Sequence, residues 1–153
     1  MDLNLQFPAE WELAREIKYA QGFIRPAPRD FVGYGPLTEP ESLALYDFTL
    51  IHDFSLILSY HTQGEIIFWR YLNFEPEGAE ELGREFARVS GYILDGTIET
   101  NSYAGYRDWF ISSYNRPGYT VETGKGQNPL PISQFDQIYK DNLGILVLGA
   151  AAM

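Results

Sequence analysis

The spacing of apolar residues along the chain predicts alternating helices and strands. In several stretches apolar side chains recur at the three- and four-residue intervals of an amphipathic helix. The predicted helices cover about 10–21, about 39–52, about 78–94, about 106–114 and the segment from Pro131 to about 148. The second of them has a clear start signal, because Thr38 can cap it, Pro40 suits its first turn and Glu41 can complete a capping box.

Short runs between the helices predict strands. Phe54–His61 is densely apolar, as expected of a strand buried on both faces, and it ends in His61. Tyr119–Thr123 alternates and carries Glu122 in its interior, whereas Ile66–Leu72 fits a strand or an extended loop. This order of elements predicts an α/β protein, a partial three-layer α/β/α arrangement with a mostly parallel mixed sheet.

The segments between these elements indicate one domain. Asp95–Gly105 is rich in Gly, Asn, Ser and Thr and is predicted to be a loop. The chain shows no internal repeat and no low-complexity linker, so we expect a single domain over 1–153.

Composition narrows the range of partners. The 153 residues are 45% hydrophobic and 21% charged, which is the balance of a globular domain, and the formal net charge is -10. An acidic surface has little to offer a phosphate backbone, so nucleic acid is excluded as an expected partner. The chain has no cysteine, which leaves His, Asp and Glu as its strong metal ligands.

The chain ends show no targeting or membrane segment. Met1–Pro8 has neither a basic region nor an apolar run, and the apolar stretch Leu143–Met153 is far below the roughly 20 residues of a spanning helix. We therefore expect no membrane association. The location is cytoplasmic or unknown, and that of a longer form is left open.

His61 and Glu122 are the polar residues placed where strands usually carry apolar ones. Ligands and catalytic groups of open α/β sheets gather at the carboxyl ends of strands. A zinc site at His61 with Glu122 as general base would explain both residues. The alternative is structural: a hydrogen-bonded core histidine and a solvated strand carboxylate. His52 lies in a predicted helix without a second ligand at helical spacing, so no site is assigned to it.

Several sequence blocks resemble the zinc carboxypeptidases in order and approximate spacing. They are Asp2–Pro8, Thr38–Ser42, Ser59–Gly64, Arg107–Trp109 and Thr120–Gly124. Together with Asn128–Ile132 after the glutamate, the sequences of these blocks are most similar to the bacterial branch that cleaves γ-D-glutamyl-diamino acid bonds in peptidoglycan peptides. The resemblance implies a carboxypeptidase-like fold, zinc as cofactor and a peptidoglycan-derived peptide as substrate.

The resemblance also implies roles for individual residues. His61 matches the family's third zinc ligand, and Glu122 matches the carboxylate that activates water and returns a proton to the leaving amine. Asn4 matches the Asn of an Asn-Arg pair that binds the substrate's terminal carboxylate, although Leu5 stands in the Arg position.

Three further residues are implied to contact substrate. Arg107 falls where the family sets side-chain preference, and a guanidinium there favours an acidic group such as the extra carboxylate of diaminopimelate. An ordinary surface arginine of a helix is the alternative. Tyr103 and Tyr106 are candidates, by proximity alone, for the tyrosine that folds over the substrate.

The resemblance also implies that part of the family's site lies outside this sequence. The family's first two zinc ligands form a His-x-x-Glu motif upstream of the Asp-Leu-Asn block, and this chain has no such motif. We expect the chain alone to bind zinc weakly and to be inactive. Self-association, or pairing with a missing amino-terminal half, is the expected interaction because strand edges would be uncovered.

Three functions remain open from the sequence. The chain can be part of a zinc peptidase of the γ-D-glutamyl-diamino acid branch. It can be a non-catalytic module that binds cell-wall peptides through Asn4, Arg107 and an aromatic cleft. It can also be a split subunit that becomes active with a second chain carrying His-x-x-Glu.

Overall fold

The computed structural model describes residues 1–97 and 103–152. Its contacts divide the chain into two units. The helical unit comprises Met1–Phe54 and Glu99–Tyr114, and the sheet unit comprises Ser55–Ile98 and Asn115–Met153. Part of the predicted loop 95–105, namely residues 98–102, lies outside the described residues.

Helices and strands alternate along the chain much as predicted. In chain order they are α1 (Trp11–Ala20), α2 (Pro40–Ile51), β1 (Ile57–His61), β2 (Ile66–Phe68), α3 (Ala79–Ser90), β3 (Ile93–Asp95), α4 (Tyr106–Tyr114), β4 (Gly118–Glu122) and α5 (Phe135–Ala151), with short 3-10 helices at Leu3–Leu5 and Ile132–Gln134. Each predicted helix is present. Among the described residues, no helix combines the length and the apolar character needed to cross a membrane.

The start of α2 differs from the predicted capping box. Glu39 occupies the N-cap position and makes no side-chain cap bond. Thr38 instead donates from its backbone nitrogen (3.0 Å) and its hydroxyl (3.1 Å) to Oε1 of Gln6. Gln6 is fully buried, so its amide oxygen must find donors within the protein, and Thr38 supplies them. The capping prediction for Thr38 is therefore wrong.

The predicted third helix is too long at its carboxyl end. Gly91 ends α3 in a left-handed conformation (φ 78°), and its N–H donates to the carbonyl of Ala87 at 2.8 Å. This conformation favours glycine and stops the helix. Ile93 and Leu94, which continued the helical spacing in the sequence, belong to β3.

The sheet is mixed and mostly parallel, in the order β1-β4-β2-β3. β1 runs parallel to β4, β2 runs parallel to β3, and β2 is antiparallel to β4. The predicted fold class is confirmed. β1 is shorter than predicted and is not buried on both faces, because Tyr60 is 39% exposed at the sheet's edge strand.

The core of the sheet unit lies on one face of the sheet, against α3 and α5. Ile67, Phe86, Tyr119, Val121 and Ile145 are all fully buried there. The rings of Phe86 and Tyr119 meet edge to face at 5.0 Å, and the Tyr119 hydroxyl donates to the Ala79 carbonyl at 2.7 Å. Since successive strand residues point to opposite faces, the residue after Val121 points away from this core.

The helical unit packs around a cluster of aromatic rings. Trp109 of α4 lies 4.5 Å from the Tyr46 ring of α2 and 5.9 Å from the Phe7 ring, measured between centroids. The Phe7 backbone nitrogen donates to the Ala104 carbonyl at 2.9 Å. The amino-terminal segment is thereby tied to the residues that lead into α4.

Candidate active site

His61 and Glu122 lie side by side at the carboxyl ends of neighbouring strands. They are the last residues of β1 and β4, which run parallel, and the register pairs His61 directly with Glu122. Adjacent strands lie about 4.8 Å apart, and residues at one register point to the same face. The prediction that Glu122 lies in the interior of its strand is wrong, because Glu122 is the last residue of β4. Both side chains are half-buried.

Thr123 ties these two strand ends together. Its backbone nitrogen (2.9 Å) and its hydroxyl (3.0 Å) both donate to the His61 carbonyl. One step further along, the Gly64 nitrogen donates to the Gly124 carbonyl at 2.8 Å. Sequence reasoning took Thr123 only as a β-branched strand residue, and its place directly after a candidate catalytic carboxylate was the available signal.

Hydrogen bonds from the side chains of Gln134 and Asn128 fix the loop after Glu122. Gln134 accepts from the Lys125 backbone nitrogen (3.1 Å) and donates to the Lys125 carbonyl (2.8 Å). Asn128 donates from Nδ2 to the Thr62 carbonyl at 3.0 Å, which links the loop to the turn after His61. Gly124 has φ 69°, and a Cβ there would lie 2.7 Å from a methyl carbon of Leu130, so only glycine fits.

Neutral tyrosines lie in the sheet unit near these strands. Burial raises the pKa of Tyr60 to about 12. Burial also raises the pKa of Tyr92, although hydrogen bonds from Asn142 and from the Gly124 backbone partly offset this. The Asn142 amide donates to the Tyr92 hydroxyl at 2.9 Å. At neutral pH these phenols are protonated and can act as hydrogen-bonding groups but not as bases.

Arg107 is buried in α4 and held by its neighbour Asp108. Its Nη2 and Nε atoms donate to Oδ1 of Asp108 at 2.8 and 3.1 Å, and Oδ2 of Asp108 accepts from the Gly105 nitrogen at 3.1 Å. Arg107 is only 6% exposed, so the alternative of an ordinary surface arginine is wrong. A fixed guanidinium presents its donors in a set direction. Contact with substrate stays a prediction.

The other predicted substrate residues also lie in the helical unit. Asn4 is exposed in the Leu3–Leu5 turn, whose N-cap Asp2 accepts from the Asn4 nitrogen at 3.2 Å. Tyr103 is 8% exposed, and the Tyr106 hydroxyl is 2.9 Å from that of Thr49. Burial raises the pKa of Tyr106. Their roles at a substrate stay predictions.

The comparison with protein families decides the assignment. The sequence model described as zinc carboxypeptidase matches residues 1–144. The chain belongs to the zinc carboxypeptidase family. It is 50% identical over 149 residues to γ-D-glutamyl-L-diamino acid endopeptidase 1 of Lysinibacillus sphaericus, covering 97% of this chain and 36% of that protein. The chain spans between 36% and 38% of the length of the curated relatives it matches.

Solved structures of two other proteins have a similar fold. Carboxypeptidase A from Helicoverpa armigera superposes with a TM-score of 0.71 at 22% identity, over 98% of this chain and 41% of that one. Bovine thrombin-activatable fibrinolysis inhibitor, solved in complex with tick carboxypeptidase inhibitor, gives a TM-score of 0.73 at 20% identity, over 98% and 55%. At these identities the likeness supports the fold alone.

The described residues do not fit a complete zinc site of this family. A catalytic zinc ion takes three protein ligands. Within 1–97 and 103–152, no three His, Cys, Asp or Glu side chains are grouped so that they could hold a metal. His61 and Glu122 therefore form a pair, and this part of the chain does not supply the remaining ligands.

Proposed function

We propose that the chain contributes one zinc ligand, His61, and a general base, Glu122, to a peptidase that hydrolyses γ-D-glutamyl-diamino acid bonds in peptidoglycan-derived peptides. The observation that carries the proposal is the pairing of His61 with Glu122 at the ends of two parallel strands. The bond specificity is supported by the name of the Lysinibacillus relative, which is 50% identical.

Glu122 is suited to move protons. A half-buried carboxylate at a strand end can accept a proton from an attacking water and deliver it to the leaving amine. Thr123 fixes the backbone beside it by bonding to the His61 carbonyl. Glu122, the proposed general base, is thus held in register with His61, the proposed zinc ligand.

Arg107 and Asn4 are proposed to recognise carboxylates of the substrate. Arg107 is buried and fixed by Asp108, and a fixed guanidinium is the group that suits an acidic part of the substrate. Asn4 is exposed and offers an amide to a terminal carboxylate. Tyr103 and Tyr106 are proposed to contact the peptide.

The chain by itself is proposed to be inactive, because it supplies one of the three ligands that catalytic zinc requires. The remaining ligands would come from an amino-terminal half or from a second chain that carries His-x-x-Glu. Such a segment can pair with β1, which is the edge strand of the described sheet. Self-association at the same edge is the competing interaction.

A non-catalytic module for cell-wall peptides is the second candidate. It is favoured by the lack of a three-ligand group among the residues that the structure describes. In this case Asn4 and Arg107 would bind peptide without turnover.

Zinc content and hydrolysis test the proposal together. The chain is dialysed against a weak chelator, alone or mixed with the amino-terminal portion of the Lysinibacillus relative, and then assayed for zinc and for cleavage of a γ-D-glutamyl-diaminopimelate peptide. We expect neither zinc nor turnover from the chain alone, and both from the mixture, with His61→Ala abolishing both. Zinc and turnover from the chain alone would contradict its incompleteness. Peptide binding without turnover in either sample would favour the binding module.

A further inference from the structure

We propose that Thr123 is a positioning residue that sets the place of His61 relative to Glu122. The proposal rests on the proposed function for its significance, because that function gives the two side chains their roles. Its structural content, a double hydrogen bond across the strand ends, can be tested without metal or substrate.

The contact has one hydrogen bond more than the sheet ladder alone would provide. A parallel ladder supplies one backbone N–H to the His61 carbonyl, and Thr123 supplies it at 2.9 Å. The Thr123 hydroxyl adds a second bond at 3.0 Å to the same oxygen. A carbonyl has two lone pairs, so both are used. Thr123 is 6% exposed, which shields these bonds from competing water.

The position of this contact gives it its effect. His61 is the last residue of β1, and Thr123 is covalently joined to Glu122. Any movement of the His61 backbone away from β4 must break both bonds. The next link outward is the bond from Gly64 to the Gly124 carbonyl, so Thr123 lies between Glu122 and that link. Reacting groups lose large factors in rate when displaced by about 1 Å.

The hydroxyl is separable from the other properties of Thr123. Valine keeps the volume and the β-branch that suit a strand end, and it keeps the backbone N–H. It removes only the second bond to His61. Serine keeps the hydroxyl and loses the methyl group. The two substitutions therefore distinguish packing from hydrogen bonding at one position.

Thr49 provides a matched control in the helical unit. It is 1% exposed, and its hydroxyl donates to the Leu45 carbonyl at 2.8 Å and lies 2.9 Å from the Tyr106 hydroxyl. Thr49→Val removes a buried hydroxyl of the same kind. It should lower the thermal midpoint without affecting the strand ends of the sheet unit.

Nuclear magnetic resonance on the isotopically labelled chain tests the proposal. The readouts are the scalar coupling across the bond from the amide of residue 123 to the His61 carbonyl, amide exchange at residue 123 and at Gly64, and contacts between the His61 ring and the Glu122 methylenes. With Thr123→Val we expect a weaker coupling, altered ring contacts and exchange about five to ten times faster, the effect of losing one hydrogen bond. Thr123→Ser should restore all three.

The proposal is overturned if Thr123→Val leaves the coupling and ring contacts unchanged, if Thr49→Val alters them equally, or if Thr123→Ser fails to restore them. If Thr123→Val does not fold, the proposal is tested on the unaltered chain through the hydroxyl proton of Thr123. A slowly exchanging Thr123 hydroxyl proton in contact with His61 supports the proposal, and its absence overturns it. Failure of the zinc and hydrolysis assay would refute the proposed function and leave this positional result standing.

Discussion

Glu122 and His61 are polar residues at the ends of two strands, one of which supplies Tyr119 and Val121 to the core. Val121 is fully buried on the core face, and Glu122 follows it on the opposite face. The register then pairs Glu122 with His61 across the strands. At the scale of single residues, the two polar side chains thus lie at the point where the strands end.

Glu122→Gln tests the proposed general base in a mixture of the chain with the amino-terminal portion of the Lysinibacillus relative. The amide cannot accept the proton, so turnover should fall by about 10²- to 10⁴-fold. Zinc should remain bound, since the substitution leaves His61 in place. Turnover is measured with a γ-D-glutamyl-diaminopimelate peptide and zinc by elemental analysis. Undiminished turnover would rule out Glu122 as the base.

Arg107 also contributes to the stability of the fold, and this contribution can be measured. Arg107→Met removes the cation from a buried pair, in which the two side chains are 7% and 4% exposed, and leaves Asp108 charged in the interior. We expect the free energy of unfolding to fall by about 3–5 kcal/mol in urea denaturation. The double variant with Asp108→Leu should recover part of this loss. An unchanged stability for Arg107→Met would show that the pair is dispensable for folding.

At the scale of elements, single backbone positions decide where helices stop. α3 ends at Ser90 because Gly91 adopts φ 78°, and the chain then enters β3 at Ile93. Without this stop, the apolar spacing would continue the helix through residues that the sheet needs. The end of α3 is therefore part of what places β3 beside β2.

Gly91→Ala isolates the cost of this backbone conformation. A Cβ at Gly91 would meet nothing within 4 Å, so the substitution adds strain without a clash. We expect a loss of about 1–2 kcal/mol in the free energy of unfolding. Gly35→Ala is the control, because a Cβ there makes only an ordinary 3.5 Å contact with Thr38. If both variants unfold at the same urea concentration, the left-handed conformation of Gly91 does not make alanine destabilising there.

At the scale of the whole molecule, tyrosines that are wholly or partly buried make stability depend on alkaline pH. Burial is the main cause that raises the pKa of four of them: Tyr60, Tyr92, Tyr106 and Tyr119. In the unfolded chain each ionises near its ordinary pKa of about 10. The folded state therefore holds protons that the unfolded state releases, and stability falls as pH rises above 10.

This dependence is measured by urea unfolding at several pH values between about 9 and 11.5. The unfolding free energy should be level at the lower end and decline through the range, since the pKa of Tyr60 is about 12 in the folded state. Tyr60→Phe should make the decline shallower, because it removes one of the groups that titrate. A constant free energy across the range would contradict the conclusion that these phenols keep their protons in the folded state above pH 10.

The comparison of sequence and structure separates local from non-local information. The start signal at Pro40 located α2, whose buried residues Ser42 and Thr49 are polar. Apolar spacing located the body of α3, where Leu82, Phe86 and Val89 recur at helical intervals and pack in the core. Apolar spacing failed for β3, because a strand of three residues is too short to be distinguished from a continuation of α3. The capping signal failed for Thr38, because the hydrogen bonds of Thr38 go to Gln6, 32 residues away.

The sequence by itself determined the α/β class, most of the helices, the family resemblance and the choice of His61 and Glu122 as candidates. These follow from periodicity and from ordered motifs, which are properties of neighbouring residues. Only the tertiary structure decided that His61 and Glu122 share one register, that Thr123 bonds to the His61 carbonyl and that Arg107 is buried against Asp108. Strand pairing and burial join residues distant in the chain, and no local pattern specifies which partners meet.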